Sequence, residues 1–146
     1  MNQNQLNRQL AINHSILRRL VQDDRAVAKS ITKDNILDLL DVQAFYREHF
    51  STIKFVDFFP VVYDLLRRET EASFAKLKPR IRIYNRYDKE YPSAFYHDLG
   101  QDAPLFIYVC GDIDLFDRKQ PKLYLVSSSA KSDRLIQQSL DLLDQF

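Results

Sequence analysis

Seven basic side chains fall within twenty residues: Arg67, Arg68, Lys76, Lys78, Arg80, Arg82 and Arg86, opposed only by Glu69 and Glu71, for a local net charge of +5. Tyr84 and Tyr87 sit among them. Cations for phosphates and flat rings for bases suit a single nucleic-acid strand. The competing account is a solvated helix end and edge strand, where charges discourage edge-to-edge pairing. The charge is local: residues 1–66 carry eight positive and eight negative side chains, and residues 87–146 carry six and ten. A second polar set, Ser127, Ser128, Ser129 and Ser132 with Lys131 and Arg134, falls at an expected strand-to-helix turn. Free backbone N–H groups and the helix dipole favour an anion there. A plain helix cap by Ser129 or Ser132 accounts for the same serines.

Other chemistries find little to work with. His14, His49 and His97 are too scattered to suggest a metal site by spacing, and each is expected at a surface or interface. Cys110 is the single cysteine, which excludes an intrachain disulfide. It lies in an apolar run, so burial as a small hydrophobe is expected. Asp112, Asp114 and Asp117 follow Gly111 and read as turn residues rather than a calcium loop. The only glycines are Gly100 and Gly111, so no glycine-rich phosphate loop exists. No grouping of nucleophile, base and oxyanion donor is evident, so neither an enzyme nor a cofactor is expected. With 146 residues and a net charge of +1, the chain is large enough for a real core and too neutral to hold nucleic acid by bulk charge. No run approaches the ~18 apolar residues of a membrane span. The polar start MNQNQLNRQL lacks a signal-peptide core. A cytoplasmic protein without a membrane partner is expected.

Periodicity assigns the elements that would position these groups. Residues 1–78 read as helical. Leu6, Leu10, Ile16, Leu17, Leu20 and Val21 mark a first run, which Asn13 or Ser15 would interrupt or cap. Thr32 is the expected cap of a helix from Lys33 to Phe50, with Ile36, Leu37, Leu40, Ala44 and Phe45 on its apolar side. Ser51 or Thr52 would cap a short element holding Phe55, Phe58 and Phe59. Pro60 suits the first turn of a helix to about Leu77, with Val61, Val62, Leu65, Leu66 and Phe74 inward. From Lys78-Pro79 the pattern changes. Arg80 to Tyr84 alternates as a half-buried strand, Ser93 to Leu99 reads as a short helix, and Leu105 to Cys110 as a strand. Lys122 to Val126 reads as a further strand and Ser132 to Phe146 as an amphipathic helix. The expected class is α+β: a helical domain over 1–78, then an α/β layer over 79–146.

The second half also carries a likeness. Tyr87-Asp88-Lys89-Glu90-Tyr91-Pro92 is followed by Asp102-Ala103-Pro104-Leu105-Phe106-Ile107-Tyr108, Gly111-Asp112, and then Lys122-Leu123-Tyr124-Leu125-Val126-Ser127-Ser128-Ser129 with Ser132. Over about residues 80–146 this resembles the entry to the Rossmann-like domain of the DNA-processing protein A (DprA/Smf) family. The helical first half agrees in position and size with that family's SAM-like domain. The resemblance implies a bacterial, cytoplasmic, non-enzymatic protein of natural transformation. Such a protein binds single-stranded DNA, hands it to a recombinase and dimerises through the Rossmann-like layer. The family's G-S-R loop is Ser127-Ser128-Ser129 here, so Ser129 replaces the phosphate-gripping arginine and Ser127 the glycine. Only the first part of the layer is present, which implies weakened DNA binding. The alternative is a protein-interaction or dimerisation module, whose open strand edge or helical face would bind a second copy or a full-length homologue.

Overall fold

The computed structural model describes residues 1–50 and 59–114. Within them lie five α-helices and one two-stranded antiparallel sheet, an α+β arrangement. The expected strand Lys122–Val126, the helix Ser132–Phe146 and the element holding Phe55 and Phe58 lie outside the described residues.

The first helix, α1, spans Gln3–Val21 without a break. Its start is set by reciprocal capping: the Asn2 side chain accepts from the Gln5 N–H at 2.8 Å, and Gln5 accepts from the Asn2 N–H at 3.0 Å. Asn13 does not interrupt it. Its buried amide donates to the carbonyls of Leu39 (2.7 Å) and Leu40 (3.3 Å), so a distant turn removes the competition with its own backbone. Gln22, at φ 56°, ends the helix in the left-handed conformation, and its N–H bonds the Arg18 carbonyl.

A short helix, α2 (Asp24–Ser30), follows, and Asp23 caps it by accepting from the Ala26 N–H at 3.0 Å. The helix expected from Lys33 to Phe50 is corrected to a 3₁₀ turn over Ile36–Leu40 and a helix α3, Val42–Phe50. Thr32 is not its cap. The Asn35 side chain accepts from the Thr32 N–H and donates to the Ser30 carbonyl, folding the chain into a turn. Asp41 takes the capping role, accepting from the Ala44 N–H at 3.1 Å. The break rotates the faces, so Ile36, Leu39, Val42 and Phe45 are buried while Leu37, Leu40 and Ala44 are exposed.

Helix α4 spans Phe59–Ala75 with Pro60 in its first turn, where a missing N–H costs nothing. It packs along α1. Its inward side is corrected: Leu66 and Phe74 are partly buried, whereas Val61 (71% exposed), Leu65 (56%) and Val62 face outward. Strand β1 (Arg82–Asn85) pairs antiparallel with β2 (Phe106–Val109), with Arg82 opposite Val109 and Tyr84 opposite Ile107. Between them lie α5 (Ser93–Leu99) and a 3₁₀ turn, Gly100–Asp102. The alternation expected in β1 gives way to burial of Ile83, Tyr84 and Asn85 alike. α1 covers one side of the strand, and Tyr91, Ile107 and Val109 cluster with Tyr84 on the other.

One core gathers Leu10, Leu17, Val27, Leu39, Phe45 and Phe50 from the helices. Tyr87, Leu105 and Phe106 pack against it from beyond residue 78. The β1 edge facing away from β2 is not open at Ile83. Asn4 accepts from its N–H at 2.9 Å, and Asn7 donates to its carbonyl at 2.9 Å. Side chains of α1 thus stand where a further strand would pair, contrary to the expectation of a free edge there.

Candidate nucleic-acid interface

The basic run divides by what its charges already hold. Arg67 pairs with Asp64 (2.8 Å) and Glu71 (3.2 Å), and Arg68 with Asp64 (2.9 Å), all along the exposed surface of α4. The Arg67 hydrogen bond holds the Asp64 carboxyl below its ordinary range. These two arginines are neutralised locally. Among the described residues Lys76, Lys78, Arg80 and Arg82 make no ion pair, and all four are exposed. They occupy the turn from α4 into β1, which is closed by Lys76 N–H to Ser73 carbonyl, Leu77 N–H to Phe74 carbonyl and Ile81 N–H to Lys78 carbonyl bonds. Four cations that hold no ion pair among the described residues, on this turn and the first residue of β1, can meet successive phosphates without first breaking such a pair.

The two tyrosines part company. Tyr84 is 8% exposed and packs in the smaller core, so no base can reach its face. Tyr87 is half-buried and lines a cavity of about 470 Å³ with Gln3, Asn7, Arg82, Lys89 and Glu90. The Arg86 guanidinium lies over the Tyr87 ring, 5.9 Å from its centre. Lys89, which the basic-run count passes over, joins Arg82 at this cavity.

The floor of that cavity is a polar clasp. The Asp88 carboxylate accepts from Asn7 (2.6 Å), Gln3 (3.0 Å), the Asn85 side chain (3.0 Å) and the Asn85 N–H (2.9 Å). Asn7 in turn accepts from Asn85 at 2.7 Å, and Asn85 accepts from the Tyr87 N–H at 2.8 Å. Every buried polar atom of Asn7 and Asn85 is therefore satisfied, and α1 is tied to the turn after β1. Further along the same Y-D-x-x-Y-P stretch, Tyr91 and Pro92 are buried, and the Tyr91 hydroxyl donates to the Pro104 carbonyl at 2.7 Å. Burial pushes the Tyr91 phenol up to about 12. Those motif residues hold the strand pair together and position Arg82 and Lys89 beside α1.

Of the site residues read from the sequence, Arg80 and Arg82 share this exposed turn and strand start, while Ser127, Ser128, Ser129, Lys131, Ser132 and Arg134 lie outside the described residues. His49 and His97 are exposed. His14 is half-buried with its ring 5.3 Å from that of Phe106. Desolvation first, and the nearby Arg18 charge second, lower its pKa to about 4. Cys110 is exposed rather than buried, because strand alternation places it with outward-facing Tyr108 while Ile107 and Val109 turn inward. Asp112 accepts from the Asp114 N–H at 2.9 Å, as a turn residue does, and Asp117 lies outside the described residues. Among the described residues no three His, Cys, Asp or Glu side chains converge as a metal site, and no helix is long and apolar enough to cross a membrane. Compared with known proteins, the chain matches no family model, no curated protein and no solved structure.

Proposed function

We propose that the chain binds single-stranded DNA without catalysing a reaction, as a cytoplasmic relative of the DNA-processing protein A family. Its helices would form the SAM-like part and its second half the opening of a Rossmann-like layer. In that role it hands the strand to a recombinase. The observation that carries the reading is the exposed run Lys76, Lys78, Arg80 and Arg82, which makes no ion pair among the described residues, beside helix α4, whose arginines Arg67 and Arg68 are neutralised. The Y-D-x-x-Y-P likeness adds a reason to look for DNA rather than another polyanion.

Four phosphate contacts on a single strand give a salt slope of about −3, so affinity falls roughly 50-fold between about 50 and about 200 mM salt. The test is fluorescence anisotropy of a labelled single-stranded oligonucleotide across that range. Replacing Arg80 and Arg82 by Gln lowers the slope by about 1.4 if both touch phosphate. Binding with no salt dependence, or a slope unchanged in the double variant, refutes the reading.

A second reading has its own observation. Val61, Val62 and Leu65 form an exposed apolar patch on α4, which suits a protein-interaction or dimerisation module. Sedimentation equilibrium separates the two. A concentration-dependent dimer that Leu65→Lys dissolves, with no oligonucleotide binding at low salt, favours the module.

A further inference from the structure

A second cavity, of about 420 Å³, lies where α1, α2 and residues 101–105 meet. Its polar lining comprises His14, Arg18, Asp24, Arg86, Gln101 and Asp102. Its size is within the ~300–1,000 Å³ range of small-molecule sites. Arg18 and Asp24 satisfy each other through two bonds of 3.0 and 2.8 Å. Arg86 meets the Tyr87 ring and His14 the Phe106 ring, but neither side chain makes a hydrogen bond or ion pair among the described residues. The Arg86 Nε is buried with no hydrogen-bond partner, and the guanidinium carries no ion pair among the described residues. An unmet buried donor of this kind carries a desolvation cost that a ligand acceptor would relieve. His14 is a neutral ring at neutral pH, offering one donor and one acceptor. The Asp102 carboxylate makes no ion pair among the described residues.

The charges of the lining cancel: Arg18 and Arg86 against Asp24 and Asp102. A bare anion gains little from a neutral site that also presents a carboxylate, and an apolar ligand would leave Arg86 unmet. A planar heterocycle with its own donors and acceptors meets both requirements. The His14 ring and the Arg86 plane supply flat surfaces, and Ile31 and Leu105 supply apolar ones. β1 begins at Arg82 in the basic run, and Arg86 follows its last residue, about 13 Å further along an extended backbone.

We propose that this cavity takes one unpaired nucleobase of a strand whose phosphates lie on the basic run. The inference rests on the single-stranded DNA reading above. Its test compares two labelled oligonucleotides of equal length, one of thymidines and one abasic with the same phosphates. The wild-type protein binds the thymidine strand about tenfold more tightly. Arg86→Gln removes that preference. Ala28→Phe fills the cavity from the exposed surface of α2 without deleting a polar group, so it too removes the preference while the abasic affinity is kept. Circular dichroism and a melting curve check that each variant is folded. Equal binding of both strands by the wild-type protein overturns the base site and leaves the phosphate reading standing. A preference that survives in folded Ala28→Phe also overturns it. If neither strand binds the wild-type protein at low salt, the DNA reading itself fails and takes the base site with it.

Discussion

Replacing Asn7 by Ala tests the polar clasp on which the arrangement of α1 and β1 depends. Asn7 is buried and donates to the Ile83 carbonyl at 2.9 Å and to Asp88 at 2.6 Å, while accepting from Asn85 at 2.7 Å. Asp88 keeps its bonds from Gln3 and from the Asn85 side chain and backbone after the substitution, and the Asn85 amide keeps Asp88. Two losses therefore dominate. The Ile83 carbonyl is left without its side-chain partner at a cost of ~1–3 kcal/mol, and a bond to a charged acceptor worth ~1.5–3 kcal/mol disappears. Water entering the gap recovers part of this, so the expected loss is about 3 kcal/mol, a large fraction of the ~5–15 kcal/mol that holds a typical domain folded. The assay is urea unfolding followed by circular dichroism and by tyrosine emission, since the chain has eight tyrosines and no tryptophan. The midpoint should fall while the denaturant slope stays constant. Asn2→Ala, which removes an exposed helix cap, is the control, with an expected loss of ~1 kcal/mol. A loss for Asn7→Ala no greater than for Asn2→Ala would refute the account of the clasp.

Two further outcomes follow from burial. Burial lowers the His14 pKa from its ordinary 6.5 to about 4 in the folded chain. The unfolded chain therefore takes up the proton first, and stability falls as the pH drops from about 6.5 toward 4, by at most about 3 kcal/mol before allowing for the ring's residual contact with water. Urea midpoints at pH 7 and pH 5, for wild type and His14→Gln, should show a smaller pH dependence in the variant; equal slopes would dismiss the effect. Tyr91→Phe keeps the ring in its cluster but removes the hydroxyl bond to the Pro104 carbonyl, for an expected loss of ~1–2 kcal/mol by thermal or urea unfolding. No loss would mean that water replaces the hydroxyl without penalty.

The elements legible from the chain itself are those set by local patterns. The spacing of Leu6, Leu10, Ile16 and Leu17 marks a helix, and Pro60 suits the first turn of the next long one, where it lies. Ser93–Leu99 and the apolar run around Phe106–Val109 take their expected forms. The exposed cations of Arg80 and Arg82 were equally legible, because charged side chains seek water whatever the fold.

Partnerships across long sequence separations were not legible, and they decide the rest. Asn13 reads as a helix breaker until Leu39 and Leu40 supply carbonyls for its amide. Asn4, Asn7 and Asp88 carry no local signal of their role, which appears only once α1 lies along β1 and Asn4 and Asn7 bond the edge of Ile83 while Asp88 accepts from Asn7. Val61 and Leu65 read as core because apolar periodicity shows where a face lies and not what covers it. Arg67 and Arg68 are the local exception: Asp64 and Glu71 neutralise them at i,i+3 and i,i+4 spacing within α4, whereas Arg82 makes no ion pair among the described residues. Local chemistry thus determined the elements and the supply of charge. Tertiary packing determined which buried polar groups find partners far along the chain, since bonds such as Asn7 to Ile83 and Asn13 to Leu39 depend on distances that no single segment contains.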